Sequence, residues 1–374
     1  LHILLTDPHT DGGGQVRYIQ SLARELVSMG HQVTIGCRAN SVLVTVANDL
    51  GCRPLPLFHF ARGLRIPAWL ADLWALRDFL AREKPDVVHV NGSQDHWVAG
   101  LVKFRHAPRT CLVRTRHNTY VVKNNVANRV LNKRLTTSQI CVCEMVRATL
   151  GAHPAFSGTH LEAIHNGVDA ATFAPDPEKR RLAREALGYG EGDIVCGIAA
   201  RLVKAKGHTF LLQALQTLKG DFPGLRLLIL GQGALEPDLK READQLGVAH
   251  LVQFGGYREH MERWIQAFDI GVLPSIDCDT SSFSLKEQMA AEIPVVASDY
   301  GGLPEIVTDG EEGLVVPHGA VEPLARALRT LIENATLRGE MGRRGRERVL
   351  REFTGAVFAR KTVAAYEKAL ELNR

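Results

Sequence analysis

Short apolar runs alternate with amphipathic stretches along nearly the whole chain, and the alternation pauses once and then restarts. HILLT (2–6), HQVTIGC (31–37), PDVVHVN (85–91), RTCLVRTRH (109–117) and SQICVCE (138–144) each read as a strand. Between the first two, Ile19, Leu22, Ala23, Leu26 and Val27 recur at helical spacing, and Gly30 is placed to end that helix. A second helical pattern runs over 69–82. Strand and helix in strict repetition predict a parallel sheet wound on both faces.

Near 154–178 the character changes. HPAFSGTH and FAPDPE, rich in Pro and Gly, flank AIHNGVD. This is either a surface loop or a hinge between domains; the hinge is favoured because the alternation restarts beyond it. DIVCGIAAR (193–201), LRLLILG (225–231), HLVQFGG (250–256), DIGVLPS (269–275), PVVAS (294–298) and GLVVP (313–317) read as strands. Helices are expected at 208–218, about 235–246, 259–268 and 284–291, and two more, about 321–334 and 355–372, close the chain. A chain of 374 residues exceeds one ordinary core. The expectation is therefore an α/β protein of two Rossmann-like, doubly wound domains, with a cleft between the carboxyl edges of their strands.

Composition narrows the class. With 45% hydrophobic and 23% charged residues the chain reads as globular, and no apolar run reaches the ~18–20 residues of a spanning helix. The opening LHILLTDPHTDGGG reads as a strand and loop rather than a signal peptide, with a few residues expected ahead of the initial Leu. Seven cysteines without a CxxC or zinc spacing predict free, mostly buried thiols in a reducing cytoplasm. Net charge is uneven: residues 1–168 hold 19 Lys/Arg against 11 Asp/Glu, and residues 169–374 hold 26 against 30. The first half either meets something anionic or carries an uneven solvated surface. No nucleic-acid motif accompanies the cations, so DNA and RNA are not expected partners.

The densest motif is PSIDCDTSSFSLKEQMAAEIPVVASDYGGLPE (274–305). It joins a strand end, a polar loop, a helix start, a second strand and a Gly-Gly loop. Glu287 falls near the helix start, facing a crevice, and the helix N-terminus suits an anion such as a nucleotide diphosphate. Arg201 and Lys206, in AARLVKAKG, follow a strand and precede a helix, a placement that suits the same group or a solvated basic turn. Gly12, Gly13 and Gly14 form a strand-to-helix loop that admits a ligand close to the backbone, or a plain tight turn. Neither this loop nor Gly231-Gln232-Gly233 completes G-x-G-x-x-G, because Tyr18, Ile19 and Glu236 stand in the region of the third glycine. Asp277-Cys278-Asp279 is a D-x-D, but such pairs arise readily by chance and no metal is expected. His117 ends an apolar strand, where crevice residues lie. No G-x-S-x-G or phosphate-binding G-x-x-x-x-G-K-[ST] occurs, which removes most hydrolase and kinase readings.

Taken in order, the glycine loop, PDVVHVN, the strand ending in His117, HNGVD (165–169), RLVKAKG (201–207), LGQG (230–233), FGGY (254–257), DIGVLPS and LKEQMAAEIPVVASDYGGLPEIV (285–307) resemble the retaining glycosyltransferases of family 4, which have the GT-B fold. The resemblance spans about residues 1–350. It implies an acceptor-side domain, 1–168 plus a final helix within 355–374, and a donor-binding domain, 169–354. It also implies a nucleotide-sugar donor as substrate and no cofactor. Arg201 and Lys206 would hold the donor diphosphate, with the backbone N–H groups of Ser284 and Leu285 on a phosphate. Glu287 would bind the ribose hydroxyls and His117 would lie near the transferred sugar. Gly13, Gly14, Gly256 and Tyr257 would complete the donor site. The family carries two glutamates separated by seven residues; here the first position is Asp279, one methylene shorter, followed by the unusual Thr280-Ser281-Ser282-Phe283.

The resemblance implies hexosyl transfer with retention, without metal, to a glycan or lipid-linked glycan acceptor of bacterial surface polysaccharide or lipopolysaccharide synthesis. The enzyme is expected in the cytoplasm, with peripheral contact at the anionic inner membrane surface. Phe58, Phe60, Arg62, Arg65, Trp69, Trp74, Arg77 and Arg82, followed by Lys123, Arg129, Lys133 and Arg134, are either a docking face or core aromatics beside solvated cations. A non-hydrolysing sugar-nucleotide epimerase and an inactive nucleotide-binding module remain open alternatives.

Overall fold

A computed structural model describes residues 1–63, 65–118 and 122–373. The chain separates into two compact units, Leu1–Gly167 with Gly355–Arg374, and Val168–Thr354. Among the described residues, the first unit holds β1 (His2–Thr6), β2 (Gln32–Gly36), β3 (Arg53–Leu55), β4 (Val87–Val90), β5 (Cys111–Arg116), β6 (Ser138–Cys141) and β7 (Leu161–Ala163). They pair in parallel in the order β3-β2-β1-β4-β5-β6-β7. The second unit repeats the plan with β8 (Ile194–Ala199), β9 (Leu225–Leu230), β10 (Val252–Gly256), β11 (Ile270–Leu273), β12 (Val295–Ser298) and β13 (Gly313–Val316). Its order is β10-β9-β8-β11-β12-β13, again parallel throughout. Each sheet is therefore a Rossmann-like sheet whose strand order reverses once, between β1 and β4 and between β8 and β11. Open parallel sheets bind ligands beyond the carboxyl ends of the strands at such a reversal.

The central strands are covered on both faces, which is why they read as continuous apolar runs rather than alternating ones. Ile3, Leu4 and Leu5 are fully buried, as are Val195, Cys196 and Ile198. The helix Gly14–Ser28 buries Val16, Tyr18, Ile19, Leu22, Ala23 and Leu26 along one stripe. The closing helix Gly355–Leu372 belongs to the first unit. There the Tyr366 hydroxyl meets His89 Nδ1 at 2.6 Å, and the Phe358 ring lies edge-on to Tyr18 at 4.9 Å. The start of this helix lies close to Gly14–Ser28: a Cβ at Gly355 would fall 2.6 Å from Glu25 Oε1, which the Glu25 side chain could yield by turning.

Some elements differ from the periodicity reading. Pro177–Leu187 is a helix that the Pro-rich stretch concealed; Asp176 caps it, accepting from the Glu178 and Lys179 N–H groups. Ala335–Glu352 is also helical, between the two helices expected to close the chain. It buries only Met341, Gly342, Gly345 and Val349, so its Arg-rich sequence shows almost no apolar stripe. The helix expected over 259–268 is a single turn, Met261–Trp264, followed by a tighter turn, Ile265–Ala267. Among the described residues, no helix is long and apolar enough to cross a membrane. Six cysteines are buried and Cys278 is exposed.

Candidate active site

In the second unit the loops leaving β8 and β11, on the two sides of the strand-order reversal, are bonded together. The Ala205 carbonyl accepts the N–H groups of Ile276 at 2.9 Å and Asp277 at 3.3 Å. Gly207 has φ +73°, and a Cβ there would fall 1.9 Å from the Pro274 carbonyl oxygen, so only glycine lets the loops come this close. On this support Lys206 Nζ reaches Asp279 Oδ2 at 2.6 Å. The same carboxylate oxygen accepts from Ser275 Oγ at 2.5 Å, and Ser298 Oγ donates to the Ser275 carbonyl at 2.5 Å. Asp279 is 5% exposed, which makes this a buried, hydrogen-bonded ion pair rather than a surface one.

The other residues of the expected donor site lie on the same sheet edge or on the helix that follows it. Arg201, just past β8, is exposed and, among the described residues, has no carboxylate partner. Gly256 ends β10 with φ +69° and open space where a Cβ would be; its carbonyl accepts the Gly231 N–H at 2.8 Å. Tyr257 is exposed beside it. Glu287 is buried on the helix Phe283–Ala290, next to Lys286, whose Nζ donates to Ser281 Oγ at 2.8 Å and lies 4.9 Å from the Phe353 ring. One expectation meets competition: the Leu285 N–H already donates to the Ser282 hydroxyl, which caps this helix at 3.3 Å. The Ser284 hydroxyl accepts from the Gln288 amide at 2.8 Å. The two members of the D-x-D separate: Asp279 turns inward to Lys206, whereas Asp277 is exposed and accepts from the Tyr300 hydroxyl at 3.0 Å. Among the described residues, no group of three or more His, Cys, Asp or Glu side chains is arranged to hold a metal ion.

The first unit has its own polar cluster at the corresponding reversal. Asp7, directly after β1, is fully buried and accepts from the His9 N–H and Nδ1, both at 2.8 Å, and from Gln15 Nε2 at 3.1 Å. Gln15 also donates to the Asn91 carbonyl after β4 at 2.7 Å. Asp95 accepts from the Thr6 hydroxyl at 2.7 Å and from the Asn91 N–H at 2.9 Å. Burial pushes its carboxyl up to about 6, against the opposing pull of Arg114. His117 lies just beyond β5, partly buried, with Nε2 3.0 Å from Asn91 Oδ1 and its ring edge-on to Tyr18 at 4.7 Å. Burial first, and then the Arg114 charge, hold its pKa well below the usual histidine value, so the ring is neutral at pH 7. Gly13, with φ +155°, precedes Gly14–Ser28, and neither Gly13 nor Gly14 has an atom within 4 Å of where a Cβ would be. The sequence reading passed over Asp7, Gln15, Asn91, Asp95, Arg114 and Arg116. The signal for four of them was present: Asp7 and Asn91 each follow an apolar strand directly, and Arg114 and Arg116 alternate inside one.

The comparisons with known proteins agree with this geometry. The model of the family Glycosyltransferase Family 4 matches residues 12–172, and that of Glycosyl transferases group 1 matches residues 179–348. A D-inositol 3-phosphate glycosyltransferase of Kribbella flavida is 30% identical over 421 aligned residues, covering 98% of this chain and 93% of that protein. The chain belongs to the family 4 glycosyltransferases. A GDP-mannose-dependent alpha-(1-6)-phosphatidylinositol monomannoside mannosyltransferase of Mycolicibacterium smegmatis is 34% identical over 194 residues, 50% of this glycosyltransferase-family chain and 50% of that protein. The chain spans 50 to 57% of the length of three curated relatives that it matches at 31 to 34% identity. HepE from Anabaena, solved in complex with UDP, superposes with a TM-score of 0.84 at 20% identity over 98% of this chain and all of that one, which shows the two-domain GT-B fold.

Proposed function

We propose that this chain transfers a hexose from a nucleotide-sugar donor to a glycan or lipid-linked glycan acceptor with retention at the anomeric carbon. The observation that carries the reading is the ion pair between Lys206 and Asp279 at the β8–β11 reversal, with the exposed Arg201 two residues past the end of β8. The second unit is the donor domain and the first, with its closing helix, the acceptor-side domain. Arg201 and Lys206 take the donor diphosphate, the Ser284 N–H adds a helix-start donor, Glu287 takes the ribose hydroxyls, and Gly13, Gly14, Gly256 and Tyr257 shape the donor's surroundings. As the bond from the anomeric carbon to the phosphate oxygen breaks, its electron pair stays on the phosphate. The acceptor hydroxyl attacks the same face and gives its proton to a phosphate oxygen. The protein's part is positioning and stabilising the departing charge, with His117 in its neutral form near the transferred sugar. Asp279 steers Lys206 and turns to the sugar hydroxyls when donor enters. No metal or cofactor is assigned to these steps.

The acceptor reading places the enzyme in the cytoplasm, at the anionic inner face of the membrane. Phe58 and Phe60 are buried and stacked in the first unit's core, so they leave the docking face. The helix Ile66–Glu83 supports that face differently: Ile66, Leu70 and Trp74, each four residues apart, are 64%, 50% and 58% exposed, with Arg77 over the Trp74 ring at 4.8 Å. The names of the relatives support a polyol- or lipid-headgroup-bearing acceptor. A thermal-shift and hydrolysis screen across UDP-, GDP-, ADP- and TDP-sugars tests the donor half. Stabilisation by one nucleotide with slow release of its sugar is expected, and no response to any nucleotide would refute the reading.

A further inference from the structure

A cavity of about 430 Å³ lies wholly within the first unit, at the carboxyl ends of β1, β4 and β5. Its described lining includes four cations, Arg62, Arg114, Arg116 and Lys123, and six Asn or Gln residues, but no Asp or Glu. Arg114 and Arg116 are two apart on β5 and therefore project from the same face of the sheet.

The carboxylates nearby offset only one of these cations, Arg114; among the described residues Arg62, Arg116 and Lys123 have no carboxylate partner. Asp95 stands 3.7 Å from Arg114, and Asp7 is held by His9 and Gln15. Arg114 is 5% exposed; it donates to the Gly92 carbonyl, but its Nε has no hydrogen-bond partner among the described residues. Arg116 donates to Gln139 Oε1 at 2.8 Å and to Asn132 Oδ1 at 2.5 Å, both neutral amides. Burial pushes its pKa down to about 9, still above neutrality, so the guanidinium stays charged. A half-buried guanidinium held only by neutral amides, beside a buried one with an orphaned N–H, carries an unmet electrostatic cost. Arrival of an anion removes that cost.

We propose that this cavity receives a phosphate ester carried on a sugar or polyol, so that the acceptor of the transfer reaction is itself phosphorylated. Paired guanidinium forks match the phosphate oxygens. The amides supply donors and acceptors for ring hydroxyls. The volume lies within the roughly 300–1,000 Å³ of small-ligand sites, toward the small end, where a sugar phosphate fits. Asn91 and His117, bonded to each other on the cavity wall, then lie beside the hydroxyl to be glycosylated. The proposal rests on the glycosyltransferase reading above. The phosphate group has two sources, a free sugar or polyol phosphate and the headgroup of a phosphoinositide-type lipid.

The test is calorimetry on the full chain, run without nucleotide and, where the donor screen selects one, also with that nucleoside diphosphate at saturation. The probes are myo-inositol 1-phosphate, myo-inositol and glucuronate, with flotation on phosphatidylcholine vesicles made with and without phosphatidylinositol as the second arm. Binding of myo-inositol 1-phosphate, weakened about tenfold or more in Arg116→Gln and in the surface double variant Arg62→Gln/Lys123→Gln, supports a free phosphate acceptor. Capture only by phosphatidylinositol vesicles, lost in the same variants, supports the lipid headgroup. The double variant alters exposed residues, so it remains informative if Arg116→Gln fails to fold. Equal binding of myo-inositol or glucuronate overturns the proposal, as does an absence of binding in both arms. Nucleotide affinity is read in a separate titration of the same protein preparations. A chain that binds nucleotide but no inositol phosphate and no phosphatidylinositol sinks the cavity proposal and leaves the donor reading standing; the opposite pattern does the reverse.

Discussion

Lys206 Nζ and Asp279 Oδ2 are 2.6 Å apart, although they belong to loops leaving two different strands, β8 and β11. The pair ties the two sides of the strand-order reversal together and holds a cation at the point where the fold places a ligand. Ser275 Oγ donates to the same carboxylate oxygen, which fixes Asp279 from a second side. On the proposed donor reading, a diphosphate would compete with Asp279 for Lys206, coupling donor binding to release of that carboxylate.

Lys206→Ala is therefore expected to have two separable effects. Turnover falls about 10²-fold or more, on the order of 3 kcal/mol of transition-state stabilisation. Thermal stability also falls, because Asp279 is left buried without its cation, a loss of about 3–5 kcal/mol when one partner of a buried pair is removed. The double variant Lys206→Ala/Asp279→Asn should recover most of the melting temperature and none of the turnover. Melting curves and initial rates on the three proteins check this; full turnover in Lys206→Ala removes the diphosphate assignment.

Much of this site was legible beforehand, and the reasons for the rest are local. Parallel strands buried on both faces announce themselves as apolar runs, so β1, β4, β8, β11 and β12 could be placed, and with them the loops that carry Arg201, Lys206 and Asp279. The ion pair could not be seen, because it joins residues 73 positions apart through a loop contact that depends on Gly207. The Ser282 cap was missed because Ser281, Ser282 and Ser284 are indistinguishable as cap candidates without backbone geometry. Arg114 and Arg116 were visible as charges inside an apolar strand, a conflict between pattern and polarity that marks functional positions. The helix Ala335–Glu352 hid because its buried face is built largely from Met341 and glycines rather than from large aliphatics.

Gly207→Ala should act through the backbone alone. A Cβ there meets the Pro274 carbonyl at 1.9 Å, and the φ of +73° is strained for alanine. The substitution forces the β8 and β11 loops apart and breaks the Lys206–Asp279 contact without removing either charge. Nucleotide affinity is expected to fall at least tenfold, together with a lower melting temperature. Unchanged nucleotide affinity by calorimetry would contradict the role given to this loop contact.

The buried histidines set the response to acid. Burial, with Arg114 second, pushes His89 down to about 3; burial, with Lys206 second, pushes His208 to about 4; His96 and His117 are also held well below the ordinary value. Below about pH 6.5 the unfolded chain takes protons at these positions that the folded chain does not, so their stability contribution is full above 6.5 and is lost as pH falls. Two groups oppose this: His9, raised chiefly by its hydrogen bond to Asp7, and Asp95, raised by burial to about 6, both bind protons more readily when folded. The four outnumber the two, and each uncompensated proton costs about 1.4 kcal/mol per pH unit. The urea midpoint should drop between pH 7.5 and 5.5; a constant or rising midpoint contradicts the assignment.

The exposed stripe on Ile66–Glu83 gives the last prediction. Ile66, Leu70 and Trp74 stand one above another, because residues four apart share a helix face, and Arg77 covers the Trp74 ring. Side chains this exposed contribute little to folding, so replacing all three with Ser should lower the unfolding free energy by only about 1 kcal/mol. On anionic vesicles the same replacement removes the buried apolar area, at about 25 cal/mol per Å², while leaving the cations in place. The parent is expected to float with anionic liposomes at low salt and the triple variant to remain in the soluble fraction. High salt should weaken the parent's binding through the arginines without abolishing it, because the apolar share is not screened. Flotation of the triple variant equal to the parent's would mean that charge alone holds the protein, and no flotation of the parent would end the membrane assignment of this face.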